Sequence, residues 1–225
     1  PRDTSAWLTQ VERWRRQHPL KAPKQGGLHA QYVLQRFDAL SEGSLVLTAD
    51  VGQHQMWAAQ FCRTRSNRHW ITSGGAGTMG FGWPAAIGAQ FGCPDKEVWA
   101  IVGDGGFQMT LAELATAAVH DLNVKCLIIN NNYLGMVRQW QEMFYDNRLS
   151  GVDLEGNPDF VKLAEAYGIT GIRVTEQSQV ADAIQQALVV PGPVIIDFVV
   201  KAVDNVYPMI PSGQSVNQMM EEPWP

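Results

Sequence analysis

Three short stretches of the sequence combine residue types that do chemistry together. Gly103-Asp104-Gly105-Gly106 sets a carboxylate among glycines, and Asn130-Asn131-Asn132-Tyr133-Leu134-Gly135 sets three amides in a row. Ala49-Asp50-Val51-Gly52-Gln53-His54-Gln55 adds an acid, two glutamine amides and an imidazole. Glycines tolerate positive φ and let the backbone approach a ligand, and the N-terminus of a following helix attracts phosphate. Asp104 at the same place would repel a bare phosphate. A divalent cation between them removes the conflict, because Mg²⁺ takes six oxygens, commonly one or two from protein and the rest from phosphate and water. Asn131, at the end of the next strand, would offer an amide oxygen. Taken singly, Asp104 reads as a turn former and Asn130 to Asn132 as a polar loop. Together, on successive strand ends, they read as a metal–diphosphate site.

Such loops need a scaffold. Apolar runs at Ser44 to Ala49, Glu97 to Val102, Val124 to Ile129 and Val194 to Val200 predict buried strands, with a weaker one at Ile169 to Val174. Between them, Leu28 to Ala39, Phe81 to Phe91, Met109 to His120 and Ser178 to Leu188 read as helices, the second with small residues suited to close packing on a sheet. Asn157-Pro158 reads as an N-cap with proline at the first helical position, and Gly168 as the stop of that helix. Continuous apolar strands interleaved with helices imply an α/β fold, a doubly wound, mostly parallel sheet with helices on both faces. In such sheets ligands bind beyond the carboxyl ends of strands, where all three loops fall.

The 225 residues carry 17 Lys+Arg against 22 Asp+Glu, a net charge of −5 that provides no basic stripe for nucleic acid. No apolar run reaches the roughly 18 residues of a membrane span. Three cysteines without a CxxC pair suggest neither a disulfide framework nor a zinc site and point to a reducing compartment. Trp7, Leu8, Val11 and Trp14 form one apolar helical face ending near Pro19, and the stretch from Pro19 to Gly27 reads as a linker. The expected division is therefore a connector over 1–27 following a preceding domain, the α/β domain over 28–206, and a coil tail over 207–225. The segments expected to move are Tyr133 to Gly156 and the tail, the first as a channel lid, a subunit contact or a plain surface loop.

Gly103-Asp104-Gly105 followed, one helix and one strand later, by Asn130-Asn131 resembles the signature of thiamine-diphosphate enzymes. VGQHQMWAAQ (51–60), ITSGGAGTMGFG (71–82), GFQMTLAEL (106–114), LGMVRQWQ (134–141) and PMIPSG (208–213) are similar to acetohydroxyacid synthase, also called acetolactate synthase, in its carboxy-terminal diphosphate-binding domain. The resemblance implies Mg²⁺ bound by the side chains of Asp104 and Asn131 and the backbone carbonyl of Tyr133, with Leu134-Gly135-Met136 fixing the register of that loop. It implies thiamine diphosphate held by Gln53, His54, Gly105 and Gly106, with Gly77 and Met79 at the aminopyrimidine and Met79 bending the cofactor. Trp140 would shape the second-substrate pocket and a herbicide-binding channel, with Ser212 nearby. The implied substrates are pyruvate and a second 2-oxo acid, pyruvate or 2-oxobutyrate, at the entry to branched-chain amino-acid synthesis. An amino-terminal domain would supply the glutamate that activates the cofactor, and a middle domain would hold most of the family's FAD. A homo-oligomer, a regulatory subunit, and a bacterial cytoplasm or plastid stroma are further expectations. Alone, the chain is expected to bind the cofactor weakly and not to turn over.

Each assignment has a plainer alternative. His54 could be a satisfied histidine at a helix start, Met79 ordinary core, and Trp140, with Trp57 and Trp70, aromatic packing. Arg138 and Lys125 are expected in solvent, and His29, His69 and His120 receive no role. Gly75-x-Gly77-x-x-Gly80 matches a dinucleotide motif. However, His69 to Ser73 makes a poor central strand, and the acid about 20 residues on would be Asp95, beside Pro94 in a turn. Another thiamine-dependent carboligase or decarboxylase, or a non-catalytic thiamine-fold module, is the remaining alternative. Intact Asp104, Asn131 and Met79 speak against the non-catalytic module.

Overall fold

The computed structural model describes residues 3–23, 25–41, 45–64, 66 and 69–221. In chain order the elements are α1 (Ser5–Gln17), α2 (Ala30–Ser41), β1 (Val46–Ala49), α3 (Gln53–Phe61), β2 (Trp70–Thr72), α4 (Gly82–Gly92) and β3 (Val98–Gly103). They continue with α5 (Asp104–Met109), α6 (Leu114–Val119), β4 (Val124–Asn130), α7 (Gly135–Phe144), α8 (Phe160–Ala166), β5 (Thr170–Val174), α9 (Val180–Val189) and β6 (Val194–Val199). The six strands form one sheet in the order β2-β1-β3-β4-β6-β5, parallel at every pairing. Ser44, the expected start of the first strand, lies outside the described residues. The segment judged a poor central strand supplies β2, a three-residue edge strand.

Alternation along the central strands divides the core in two. Trp99 and Ile101 of β3, with Leu127 and Ile129 of β4, face α2, α3 and α9, meeting Phe37, Trp57 and Ile184. Val98, Ala100 and Val102, with Cys126 and Ile128, face the other side, meeting Trp83 of α4, Phe107 of α5, Leu114 of α6 and Phe160 of α8. The sheet is therefore covered on both faces, as continuous apolar strands require. Its order reverses beside β1 and β3, and ligands bind outside the carboxyl ends at such a switch point.

Several local expectations are corrected. The helix expected over Met109 to His120 is broken at Thr110, whose backbone leaves the helical region and whose Oγ1 donates to the Gly80 carbonyl at 3.1 Å. Asp159, not Asn157, caps α8, its Oδ1 accepting from the backbone N–H of Val161 and of Lys162 at 3.1 Å each. Helices α3 and α7 begin in stretches read as loops and continue through residues for which the sequence predicts no helix. The tail is not plain coil, because mutual backbone hydrogen bonds between Met209 and Met220, at 2.9 and 2.7 Å, close the intervening chain into a loop.

Lys125 and Arg138 are buried rather than solvated. Lys125 Nζ donates to the carbonyls of Val190 and Gly192, both at 2.6 Å, beyond the C-terminus of α9, where a cation and its donors are favoured. Arg138 donates to Glu142 at 2.6 Å and to the Asn205 side chain at 2.5 Å, tying α7 to the chain beyond β6. His29 also gains a structural role, its Nδ1 lying 2.7 Å from Asp204 Oδ2.

Candidate functional site

The ends of β1, β3 and β4 open into one cleft of about 280 Å³. Gln53, His54, Gly77, Met79, Asp104, Gly105, Gly106, Asn131, Tyr133, Leu134, Gly135 and Met136 all line it. The topology explains this meeting. Asp104 is the first residue of α5, directly after β3, and Asn131 directly follows β4, its neighbour in the sheet.

Asp104 is almost wholly buried, and burial pushes its carboxyl up to about 6. The hydrogen bond from Asn157 Nδ2 to Asp104 Oδ2, 2.7 Å long, opposes that shift, as do nearby backbone N–H groups. No ion pair among the described residues reaches Asp104. A buried carboxylate without a cationic partner is costly, and a metal ion would relieve it. Asn131, also buried, donates from Nδ2 to Gln53 Oε1 at 3.2 Å, while its Oδ1 accepts from the Tyr133 N–H at 3.1 Å and keeps a lone pair. Among the described residues no group of three His, Cys, Asp or Glu could cage a metal. One buried carboxylate and one amide oxygen, with Tyr133 lining the same cleft, offer a sparse set of hard oxygens. It suits Mg²⁺, whose shell is completed by phosphate and water, and not a metal held by protein alone.

The imidazole of His54 packs between two glycines. A Cβ at Gly52 would stand 2.9 Å from its Cε1, and one at Gly103 2.8 Å. Burial holds this histidine down at about 4, against the pull of Asp50, so it is neutral near pH 7. His54 Nε2 is buried without a hydrogen-bond partner among the described residues, and a diphosphate oxygen in the cleft would provide one. Across the cleft, Gly77 takes a left-handed φ of 58° and is exposed. Met79 is partly buried, belongs to neither core cluster and lies above Gly105, so the plain core reading does not describe it.

Trp140 is 46% exposed on α7, edge-to-face with Phe144 at 6.1 Å. With Met136, Val137 and Tyr145 it lines a shallow hollow beside the cleft. It is therefore surface-lining, whereas Trp57 is core and Trp70 packs against the core. Ser212 is exposed on the tail and lines neither hollow.

Three further residues, none of which the sequence assigns a part in the site, help to build it. Asp50 is fully buried, accepting from the backbone N–H groups of Val51 at 2.8 Å, Gly80 at 3.1 Å and Gly82 at 2.7 Å, and thereby fastens the loop bearing Met79. Its position immediately after a strand was the available signal. Asn157 reaches Asp104 Oδ2, Asn132 Oδ1 and Gln108 Nε2 together. Gln139 is fully buried on α7, bonded to Gln53 and to the backbone of Val206. Neither amide gives a sequence signal, because its partners lie far along the chain.

A doubly wound parallel sheet whose switch point gathers a buried aspartate, an asparagine and a run of glycines is the architecture of an α/β ligand-binding domain. Residues 50–198 match the family described as thiamine pyrophosphate enzyme, C-terminal TPP binding domain, and the chain belongs to that family. It is 45% identical over 219 residues, 96% of its length, to the acetolactate synthase large subunit of Cyanidium caldarium. It is 46% identical over 222 residues (98%) to that of Parasynechococcus marenigrum, and 48% identical over 220 residues (95%) to the acetolactate synthase of Mycobacterium bovis. The chain spans 36–37% of the length of these relatives. No helix among the described residues is long and apolar enough to cross a membrane.

Proposed function

We propose that this chain is the diphosphate- and Mg²⁺-binding half of a thiamine-diphosphate-dependent acetolactate synthase. The carrying observation is the meeting of Asp104, Asn131 and Tyr133 with Gly103 to Gly106 in one cleft, around a buried carboxylate with no ion-pair partner among the described residues. Asp104 and Asn131 would give side-chain oxygens to Mg²⁺, and Tyr133 its carbonyl. His54, as a neutral imidazole, would donate to a diphosphate oxygen beside the Gly105 and Gly106 backbone. Gly77 and Met79 would border the aminopyrimidine, and Trp140 the second substrate. Thiamine diphosphate, when bound, supplies the electron sink for decarboxylating one 2-oxo acid and passing its remaining two carbons to another.

The relatives' name, acetolactate synthase, supports an acetolactate-forming carboligation; pyruvate as donor, pyruvate or 2-oxobutyrate as acceptor, and a place in branched-chain amino-acid synthesis are what the motif resemblance adds. Residues 1–27 form the connector to an amino-terminal portion that carries the activating glutamate and most of the FAD site, and residues 207–225 form the tail. The complete enzyme would be a homo-oligomer able to take a regulatory subunit, in a bacterial cytoplasm or plastid stroma.

Calorimetric titration of thiamine diphosphate into the chain, with Mg²⁺ and then with EDTA, tests this reading. Mg²⁺-dependent binding that vanishes in Asp104→Ala is expected. Equal binding with EDTA would overturn the metal assignment.

A further inference from the structure

The cleft wall behind Asn131 is built from side-chain amides, and their order has a consequence for the metal site. Gln139, in the middle of α7, is fully buried. Its Oε1 accepts from the backbone N–H of Val206 at 2.8 Å, and its Nε2 donates to the carbonyl of the same residue at 3.1 Å. A backbone N–H only donates and a backbone C=O only accepts, so Val206 dictates which way the Gln139 amide turns. The next link follows. Gln139 Oε1 also accepts from Gln53 Nε2 at 2.9 Å, and that nitrogen donates to the Asp204 carbonyl at 2.9 Å. Gln53 is therefore left with its Oε1 toward Asn131, whose NH₂ donates to it at 3.2 Å. The Asn131 oxygen is thereby turned away from Gln53 and kept for the Tyr133 N–H and one further partner. Gly135 closes the arrangement, since a Cβ there would fall on Gln53 Oε1.

We propose that Gln139 is a positioning residue: anchored on the backbone of Val206, it fixes the amide of Gln53 and, through Gln53, presents the carbonyl oxygen of Asn131 to the metal. This rests on the metal–diphosphate reading above. It assigns to α7 and to the chain after β6 a part in metal geometry, although neither supplies a ligand. Outer-shell partners of this kind change metal affinity by about 10- to 100-fold.

The test uses the 225-residue chain and the variants Gln139→Met and Gln53→Met, which cut the relay at different links. The first readout needs no ligand. In nitrogen-15 NMR spectra the Asn131 side-chain NH₂ should be resolved and slowly exchanging, and each variant should move that signal and speed its exchange about tenfold or more. Ile184→Val, a remote core change, should leave it in place. The second readout is the concentration of Mg²⁺ or Ca²⁺ that half-supports thiamine diphosphate binding. Mg²⁺ requires near-ideal octahedral geometry, whereas Ca²⁺ accepts looser sites. Both variants should therefore weaken Mg²⁺ support about 10- to 100-fold and Ca²⁺ support distinctly less, a shift in preference that general destabilisation does not produce. An unmoved Asn131 signal in a folded variant, or equal weakening for both metals, would overturn the proposal. Absence of Mg²⁺-dependent binding in the unsubstituted chain would instead overturn the metal–diphosphate reading, while the NMR comparison would still decide whether the relay orients Asn131.

Discussion

Asp104 is held in a conflict that the protein alone does not resolve. Its carboxyl is buried, its neighbours are amides and backbone N–H groups, and no cation of the described chain pairs with it. Replacing it by the isosteric asparagine removes the charge and keeps an acceptor for Asn157. Asp104→Asn should therefore weaken Mg²⁺-dependent thiamine diphosphate binding at least about 100-fold while raising the thermal midpoint of the metal-free chain. A carboxyl pushed up to about 6 from its ordinary 3.8 corresponds to roughly 3 kcal/mol at neutral pH. The sign follows from proton linkage. Between pH 3.8 and 6 the folded chain holds a proton that the unfolded chain has lost, so the contribution of this group favours folding at low pH and declines as pH rises through that window. Metal binding runs the other way, because Mg²⁺ needs the carboxylate. Apparent Mg²⁺ affinity should rise about tenfold per pH unit below 6 and flatten above it, and titrations from pH 4.5 to 8 would show whether the bend lies there. Asp104 and Asn131 were legible in the sequence because glycines and successive strand ends marked them. Asn157 was read as a helix cap, since nothing local distinguishes a cap from an amide that reaches across the cleft.

At the scale of elements, the cleft depends on how closely α4 and α5 approach β1. A Cβ at Gly82 would stand 2.8 Å from the Asp50 backbone nitrogen, and one at Gly106 would fall on Asp50 Oδ1. The aspartate fills the space the two glycines leave, and it holds the backbone around Gly80 and Gly82 from below. Gly106→Ala should thus destabilise the chain by about 1–3 kcal/mol, the range for overpacking a tight contact. Asp50→Asn should cost a similar amount, because its NH₂ would face backbone N–H groups that then lack an acceptor. The distinguishing measurement is hydrogen exchange over residues 78–82. Asp50→Asn should speed it markedly, whereas a core change of equal cost on the far face, such as Ile184→Ala, should not. Five of the six strands were legible as apolar runs because both faces of the sheet are covered. Helices α3 and α7 were not, since their Gln53, Arg138 and Gln139 are buried by partners at Asp204 to Val206 that no local pattern announces.

Over the whole molecule, a parallel sheet separates its two ends. Asp50, Asp104 and Asn131 stand at the carboxyl ends of β1, β3 and β4, while Lys125 sits near the start of β4 and closes the opposite end through Val190 and Gly192. Burial holds that ammonium down to about 8, opposed by the charges of Glu97 and Asp121. Its work is to satisfy the buried Gly192 carbonyl and the half-buried Val190 carbonyl. Lys125→Met keeps the apolar stem and removes the donors, so it should destabilise the chain by about 1–4 kcal/mol, the cost of leaving the buried Gly192 carbonyl and the half-buried Val190 carbonyl without this donor. Because β4 is a hydrogen-bonded rod running the full depth of the sheet, its far end should remain in place. The variant should therefore bind thiamine diphosphate with Mg²⁺ within about twofold of the unsubstituted chain at a temperature where both are folded. Paired denaturation and calorimetry measure the two quantities independently. A large loss of cofactor affinity in the folded variant would show that the two ends of the sheet are energetically coupled and that cleft geometry depends on how the strand is anchored at its start.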